Sequence, residues 1–210
     1  MANKAWLLAG AGVLLAALGY TGLYTADRAT WLMEVVPVLV ALPLLAATQR
    51  RAPLTPLLYG LIFIHALILI LGGFYTYAKV PLGFWLQDYF SLGRNPYDKI
   101  GHFAQGLVPA LLAREILLHG GYVTGRRMAG FLSLCVAMAI SAWYELIEWG
   151  AAIALGQGAD EFLGTQGDPW DTQSDMGMAM LGASVAILLF ARWHDSQLER
   201  LPLAHPPSGR

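Results

Sequence analysis

Charge is what this chain has least of. Asp, Glu, Lys and Arg make up 13% of 210 residues, against 57% hydrophobic residues. That leaves too little polar side chain to cover a soluble domain, so a membrane protein is expected. The net charge of −1 lacks the basic excess that phosphate backbones attract, and no nucleic-acid partner is expected. There is one cysteine, Cys135, which excludes an intramolecular disulfide and any multi-cysteine metal site. Cys135 is read as a small apolar packing residue. The glycine-rich stretch 155–167, "LGQGADEFLGTQG", has no Lys-Ser/Thr ending, which excludes a P-loop. Its glycines suit tight turning or re-entry between helices.

Long apolar runs fill the rest. A spanning helix needs about 20 mostly apolar residues. Six segments qualify: 6–24, 31–47, 57–78, 100–118, 128–155 and 176–193. The fold class expected is all-α, a polytopic six-helix transmembrane bundle. Residues 1–198 would form one transmembrane domain in contact with membrane lipids, followed by a disordered tail, 199–210. Lys4, Arg50, Arg51, Arg126, Arg127, Arg192, Arg200 and Arg210 fall on one side of six spans. Arg28, Lys79, Arg94 and Lys99 fall on the other, which places both termini in the cytoplasm. The segment 79–93 is an outer loop whose Phe84, Trp85, Tyr89 and Phe90 suit the membrane–water interface.

The acids divide more sharply than the bases. Eleven of the fourteen fall on the outer half: Asp27, Glu34, Asp88, Asp98, Glu145, Glu148, Asp160, Glu161, Asp168, Asp171 and Asp175. Two stretches there read alike, "RNPYDKIGH" and "GDPWDTQSD". In each, Asn95 or Asp168 has the chemistry of an N-cap. Pro96 or Pro169 suits the first helical position, and Asp98 or Asp171 the positive end of the helix dipole. Capping does not account for His102 and Asp175. Each lies four residues beyond Asp98 or Asp171 on the same face, about 10 Å into the helix. In "WYELIEW", Glu145 and Glu148 share a face of the fifth span at a similar depth.

Ionisable groups inside a membrane normally face a bundle interior and find partners. Here carboxylates outnumber the cations, which are His102 at this depth with Lys99 and Arg94 higher up, above the site. One histidine with several carboxylates resembles an oxygen-rich divalent metal site for Mn, Fe, Mg, Ca or Zn. The candidate ligands are Asp98, His102, Glu145, Glu148, Asp171 and Asp175. Two alternatives stand beside it: a protonated hydrogen-bond network that holds helices together, and a proton or ion pathway. Among the remaining polar residues, His65 is read as a packed, hydrogen-bonded histidine and Glu34 as a partner behind the ligands. Arg114 and Glu115 are expected to pair across helices.

These stretches resemble a known family. "PLTPLLYGLIFIHALILILGGFYTYAKVPLGFW", "RNPYDKIGHFAQGLVPALLAREILL", "YELIEW" and "GADEFLGTQGDPWDTQSDM" are similar to the YjdF family of bacterial inner-membrane proteins. The resemblance covers most of the chain. It implies the bacterial inner membrane and a polytopic architecture, and it names no reaction. A weaker similarity is to VanZ-like membrane proteins, implicated in resistance to glycopeptide antibiotics. Asp98, Lys99 and His102 match the first part of their pattern, Glu145 the second, and Asp171 with Gly182 parts of the third. Glu148 and Asp175 stand where that pattern has Gln and Asn, and both departures add negative charge.

Three function classes follow. The first is a metal-dependent enzyme acting on a lipid-linked or cell-envelope substrate, with Glu145 or Glu148 as catalytic general base towards a metal-bound water. The second is an ion or proton transporter. The third is a structural or accessory membrane protein with no chemistry. The reading preferred over these is an integral inner-membrane protein with an outward-facing acidic, histidine-containing cavity that binds a metal.

Overall fold

The structure, a computed structural model, describes residues 3–155 and 166–201, and all regular structure among them is helical. The long helices are α1 (Lys4–Tyr24), α2 (Arg28–Thr48), α3 (Pro56–Tyr75), α5 (Tyr97–His119) and α6 (Arg126–Leu155). The last, α7 (Asp171–Val185), continues through one π-helical turn, Ala186–Phe190, into α8 (Ala191–Leu198). Several starts have a local cause in side-chain caps. The side chain of Asn3 accepts from Ala5 N, that of Asp27 from Ala29 N and Thr30 N, and that of Thr55 from Leu58 N just before Pro56. Asn95 Oδ1 accepts from Tyr97 N and Asp168 Oδ1 from Trp170 N, so both motifs are tied at their starts. The regular helices begin at Tyr97 and Asp171, slightly later than the motifs alone suggest.

The aromatic segment expected as a loop contains a further helix, α4 (Pro81–Phe90), which begins on a proline and ends at left-handed Ser91. Leu82, Phe84, Trp85, Tyr89 and Phe90 on it are exposed. Asn95 locks α4 to the start of α5 by donating to Val80 O at 3.0 Å, beside Gly83, where a Cβ would overlap Asn95.

Among the described residues, five helical stretches are long and apolar enough to cross a membrane: Lys4–Tyr24, Arg28–Thr48, Pro56–Tyr75, Arg126–Ala154 and Asp171–Leu198. Leu8, Leu23, Leu188 and Leu189 on them are more than 60% exposed, an arrangement that suits lipid and would be costly in water. The expected span 100–118 lies in α5, which has the length, 23 residues, but carries Asp98, Lys99, Arg114 and Glu115. Burial explains how it tolerates them. Helix α5 runs through the middle of the molecule, against α3, α6 and α7, and hides Asp98, His102, Gln105, Arg114 and Glu115.

Two apolar cores flank it. One joins Leu14, Leu18, Val35, Val38, Leu69 and Ile70 to Tyr77 and Tyr97. The other joins Leu57, Leu58, Leu107, Leu111, Ala137, Ala183 and Ala186. Helices α5 and α7 run in the same direction and meet at backbone distance. A Cβ at Gly106 would overlap the Ala179 carbonyl, and one at Gly182 the Phe103 carbonyl. Cys135 is exposed on α6, so it does not pack inside the chain as expected. The tail from 202, Asp160 and Glu161 lie outside the described residues.

Candidate functional site

The close α5–α7 crossing fixes the acidic end. Because the two helices are parallel and nearly touching, Asp98, Lys99 and His102 on the first turns of α5 face Asp171, Ser174 and Asp175 on the first turns of α7. Lys99 is the hub. Its Nζ donates to Asp171 Oδ1 at 2.9 Å, to Ser174 Oγ at 2.6 Å, and to Asp175 Oδ1. Arg94 also donates to Asp171 and stands 3.7 Å from Asp168. Burial disfavours the Arg94 charge, but the hydrogen bond to Asp171 and the nearby carboxylates outweigh it and hold the guanidinium above its usual value. Sequence reasoning placed these two cations above the site; the fold inserts them into it.

His102 sits behind this network, buried. Its Nδ1 lies 2.9 Å from Gln105 Oε1, and a carbonyl oxygen there requires the ring to carry its proton on Nδ1. Its Nε2 points at two carboxylates, 3.4 Å from Asp98 Oδ1 and 3.8 Å from Asp175 Oδ2. A bare lone pair facing two carboxylate oxygens is repulsive, so Nε2 needs either a second proton or a cation between the three groups. Ligand atoms of Asp98, His102 and Asp175 all lie within 4.8 Å of one another. Two donors about 2.1 Å from a metal at a tetrahedral angle are about 3.4 Å apart, the scale of these separations. Asp98 Oδ2 is buried and accepts no hydrogen bond, with Lys99 Nζ 3.8 Å away.

The other candidate ligands are arranged differently. Asp171 is taken up by Lys99 and Arg94. Glu145 is buried, with Oε1 3.8 Å from His102 Nδ1 and in no hydrogen bond. Glu148, one turn on, lines a cavity of about 140 Å³ on the far side of Asp98 and His102. Glu34, His65, Tyr77, Gln105 and Tyr144 share that lining. Tyr144 Oη donates to Glu34 Oε2 at 3.1 Å, and its ring meets His102 edge-on. His65 Nε2 is buried without a hydrogen-bond partner, contrary to the satisfied histidine expected. Tyr144 and Gln105 were missed because nothing in their spacing separates them from ordinary helix residues.

A second polar cluster joins the opposite ends of α3, α5, α6 and α8. Glu115 accepts from Thr55 N at 2.8 Å and Thr55 Oγ1 at 2.7 Å. It also accepts from His194 Nε2 at 2.8 Å, while Arg114 Nη1 lies 2.9 Å from His194 Nδ1. Arginine only donates, so His194 Nδ1 accepts and the ring is neutral. Asp195 pairs with Arg114 at 2.7 Å and Arg126 at 2.8 Å. The expected cross-helix pairing of Arg114 and Glu115 is present, through a histidine that the polar stretch "WHDSQLER" gave no reason to bury.

Residues 6–196 match the family described as predicted membrane protein (DUF2238). The chain belongs to that family. Inner membrane protein YjdF of Escherichia coli (strain K12) is 65% identical over 184 residues, 88% of each chain. No solved structure matches. The family match spans Glu34, the α5–α7 cluster and the cluster around His194.

Proposed function

We propose that this family member is an inner-membrane protein of six spans, with both termini cytoplasmic, that holds a divalent metal ion at Asp98, His102 and Asp175 near the outer leaflet. Helix α5 is the sixth span, shielded from lipid by its neighbours. The inner-membrane location is supported by the name of the Escherichia coli relative and by the five apolar spans. The observation that carries the metal reading is His102 Nε2 facing two carboxylates while Nδ1 faces Gln105 Oε1. Gln105 holds the ring as outer partners of metal-bound histidines do. Lys99, on the other oxygen of Asp175, limits the negative charge the ion must balance. Two carboxylates and one imidazole suit Mn, Fe or Zn better than Ca, which prefers six or more oxygens.

The test is the metal content of the full chain purified in neutral detergent, beside Asp175→Asn. About one equivalent in the wild type, lost in a variant that still folds, supports the reading. No metal in either protein, or equal metal in both, overturns it. A second reading is favoured by Glu148, which faces the cavity adjoining the same histidine. A metal-bound water there would have a carboxylate base at hand for hydrolysis of a lipid-linked substrate.

A further inference from the structure

The cavity beyond Asp98 and His102 has a side door. Helix α6 packs on α5 and α7, and α2 packs on α3 and α1, whereas α2 and α6 barely touch. Among the described residues, the side-chain hydrogen bond between them is Tyr144 to Glu34. Two residues that line the cavity, Pro37 on α2 and Ile140 on α6, are also exposed on the outer surface of the bundle. That surface carries Val36 and Val40 on one flank and Trp143 and Ile147 on the other, all exposed and apolar. Two helix prolines border the space. Pro37 and Pro109 cannot donate to the carbonyls of Met33 and Gln105, which loosens α2 and α5 beside it. The cavity therefore opens sideways, to where the acyl chains lie, rather than along the bundle axis.

Its polar lining is rich in carboxylates. Apart from His102 on the wall shared with the metal cluster, Glu34, at 3% exposure, Glu148 and Asp98 supply the charged groups of the lining, and no Lys or Arg among the described residues lines it. The phenols of Tyr77 and Tyr144 add oxygen atoms and ring faces, and the partnerless Nε2 of His65 adds a further polar atom. Anionic heads are disfavoured by this lining. A head with N–H donors and positive charge matches it, since carboxylates accept and ring faces attract cations. A volume of about 140 Å³ is about that of four to five waters at roughly 30 Å³ each, so the head is small. A bare ion would leave most of the space empty.

We propose that this cavity binds the head of an amphiphile ending in a primary ammonium group, entering from the bilayer between α2 and α6. The ammonium lies between Glu34 and Glu148, and the chain leaves past Pro37 and Ile140. Entry breaks the Tyr144–Glu34 hydrogen bond, which closes the door in the empty protein. The site shares Asp98 and His102 as a wall with the metal cluster but does not depend on a metal being there.

The test is thermal unfolding of the full chain in a neutral maltoside detergent, titrated with decylammonium, decyltrimethylammonium and decanol. Decylammonium is expected to stabilise saturably and decanol not at all. The trimethyl compound, with no N–H donor, is expected to bind at least about tenfold more weakly, the scale of a lost charged hydrogen bond. Glu34→Gln and Glu148→Gln should each weaken decylammonium binding about tenfold for the same reason. Equal effects from all three amphiphiles, or unchanged binding in both Gln variants, overturn the proposal. If a variant does not fold, the wild-type comparison alone decides. The titration is repeated after EDTA treatment. Amine binding by metal-free protein, with no metal taken up on reloading, sinks the metal reading alone. A metal-loaded protein that ignores the amine sinks this one alone.

Discussion

Replacing Lys99 by Met removes a cation while keeping the length of an apolar stem. In protein stripped of metal by a chelator, Lys99 Nζ is the cation that contacts Asp175 directly, since the other basic group near it, His102 Nε2, is 3.8 Å away. Asp171 keeps Arg94 and is hurt less. The cost therefore falls mainly on Asp175, whose side chain is 2% exposed and cannot turn to water. Removing one partner of a buried pair typically costs about 3–5 kcal/mol. The Lys99 side chain is itself 18% exposed, so the lower end, about 3 kcal/mol, is expected. The assay is reversible unfolding in mixed micelles of wild type, Lys99→Met, Asp175→Asn and the double variant. The double variant should recover at least about 1 kcal/mol relative to the sum of the singles, because the stranded charge is gone. Strictly additive losses, or a Lys99→Met protein within about 0.5 kcal/mol of wild type, would refute the network as drawn.

Three other outcomes follow from the same geometry. Gly106→Ala should destabilise by about 1–3 kcal/mol, because its Cβ overlaps the rigid Ala179 carbonyl, whereas Gly60→Ala, with open space around it, should not; parallel melting curves check both. Glu115→Ala should cost about 2–5 kcal/mol by stranding two buried donors, His194 Nε2 and Thr55 N, against about 1 kcal/mol for Thr55→Val, measured by the same unfolding. Asp27 lies outside the spans, and the Thr30 hydroxyl, then the Thr30 and Ala29 N–H groups, hold its carboxyl below the usual value despite some desolvation. A lowered folded pKa stabilises above the unfolded value and is lost as pH falls through the folded one, so the penalty of Asp27→Ala, about 0.5–2 kcal/mol at pH 7, should shrink below about pH 4 in acid titrations.

The sequence speaks most clearly where one physical signal acts alone. Apolar length marks the regions of the spans, and the cap chemistry of Asn95 and Asp168 marks two helix starts. Helical spacing brings Asp98, His102, Asp171, Asp175 and Glu145 to one depth, and the fold gathers them there. What depends on how helices cross was not legible. The two glycines that let α5 and α7 meet are unremarkable in a chain with 23 of them. Without that crossing, Lys99 and Arg94 look like interfacial residues rather than partners of Asp171 and Asp175. The burial of His194 depends on the helix continuing alongside α5 past the π-helical turn, which brings α8 against Glu115 and Arg114. The gap between α2 and α6 is visible only once α5 is known to lie between the two cores. Helix α4 is not distinguishable from a loop in the sequence, because its aromatics suit an interface in either conformation.

Ligation of a metal ion by His102, as proposed, has a direct spectroscopic signature. The most direct measurement is pulsed electron paramagnetic resonance of the full chain loaded with Mn²⁺ in neutral detergent, beside His102→Gln. A coupling from one imidazole nitrogen to the bound ion, absent in the variant, is the result the account predicts. Bound Mn²⁺ with no nitrogen coupling, or manganese seen only as the free aqueous ion, would contradict it.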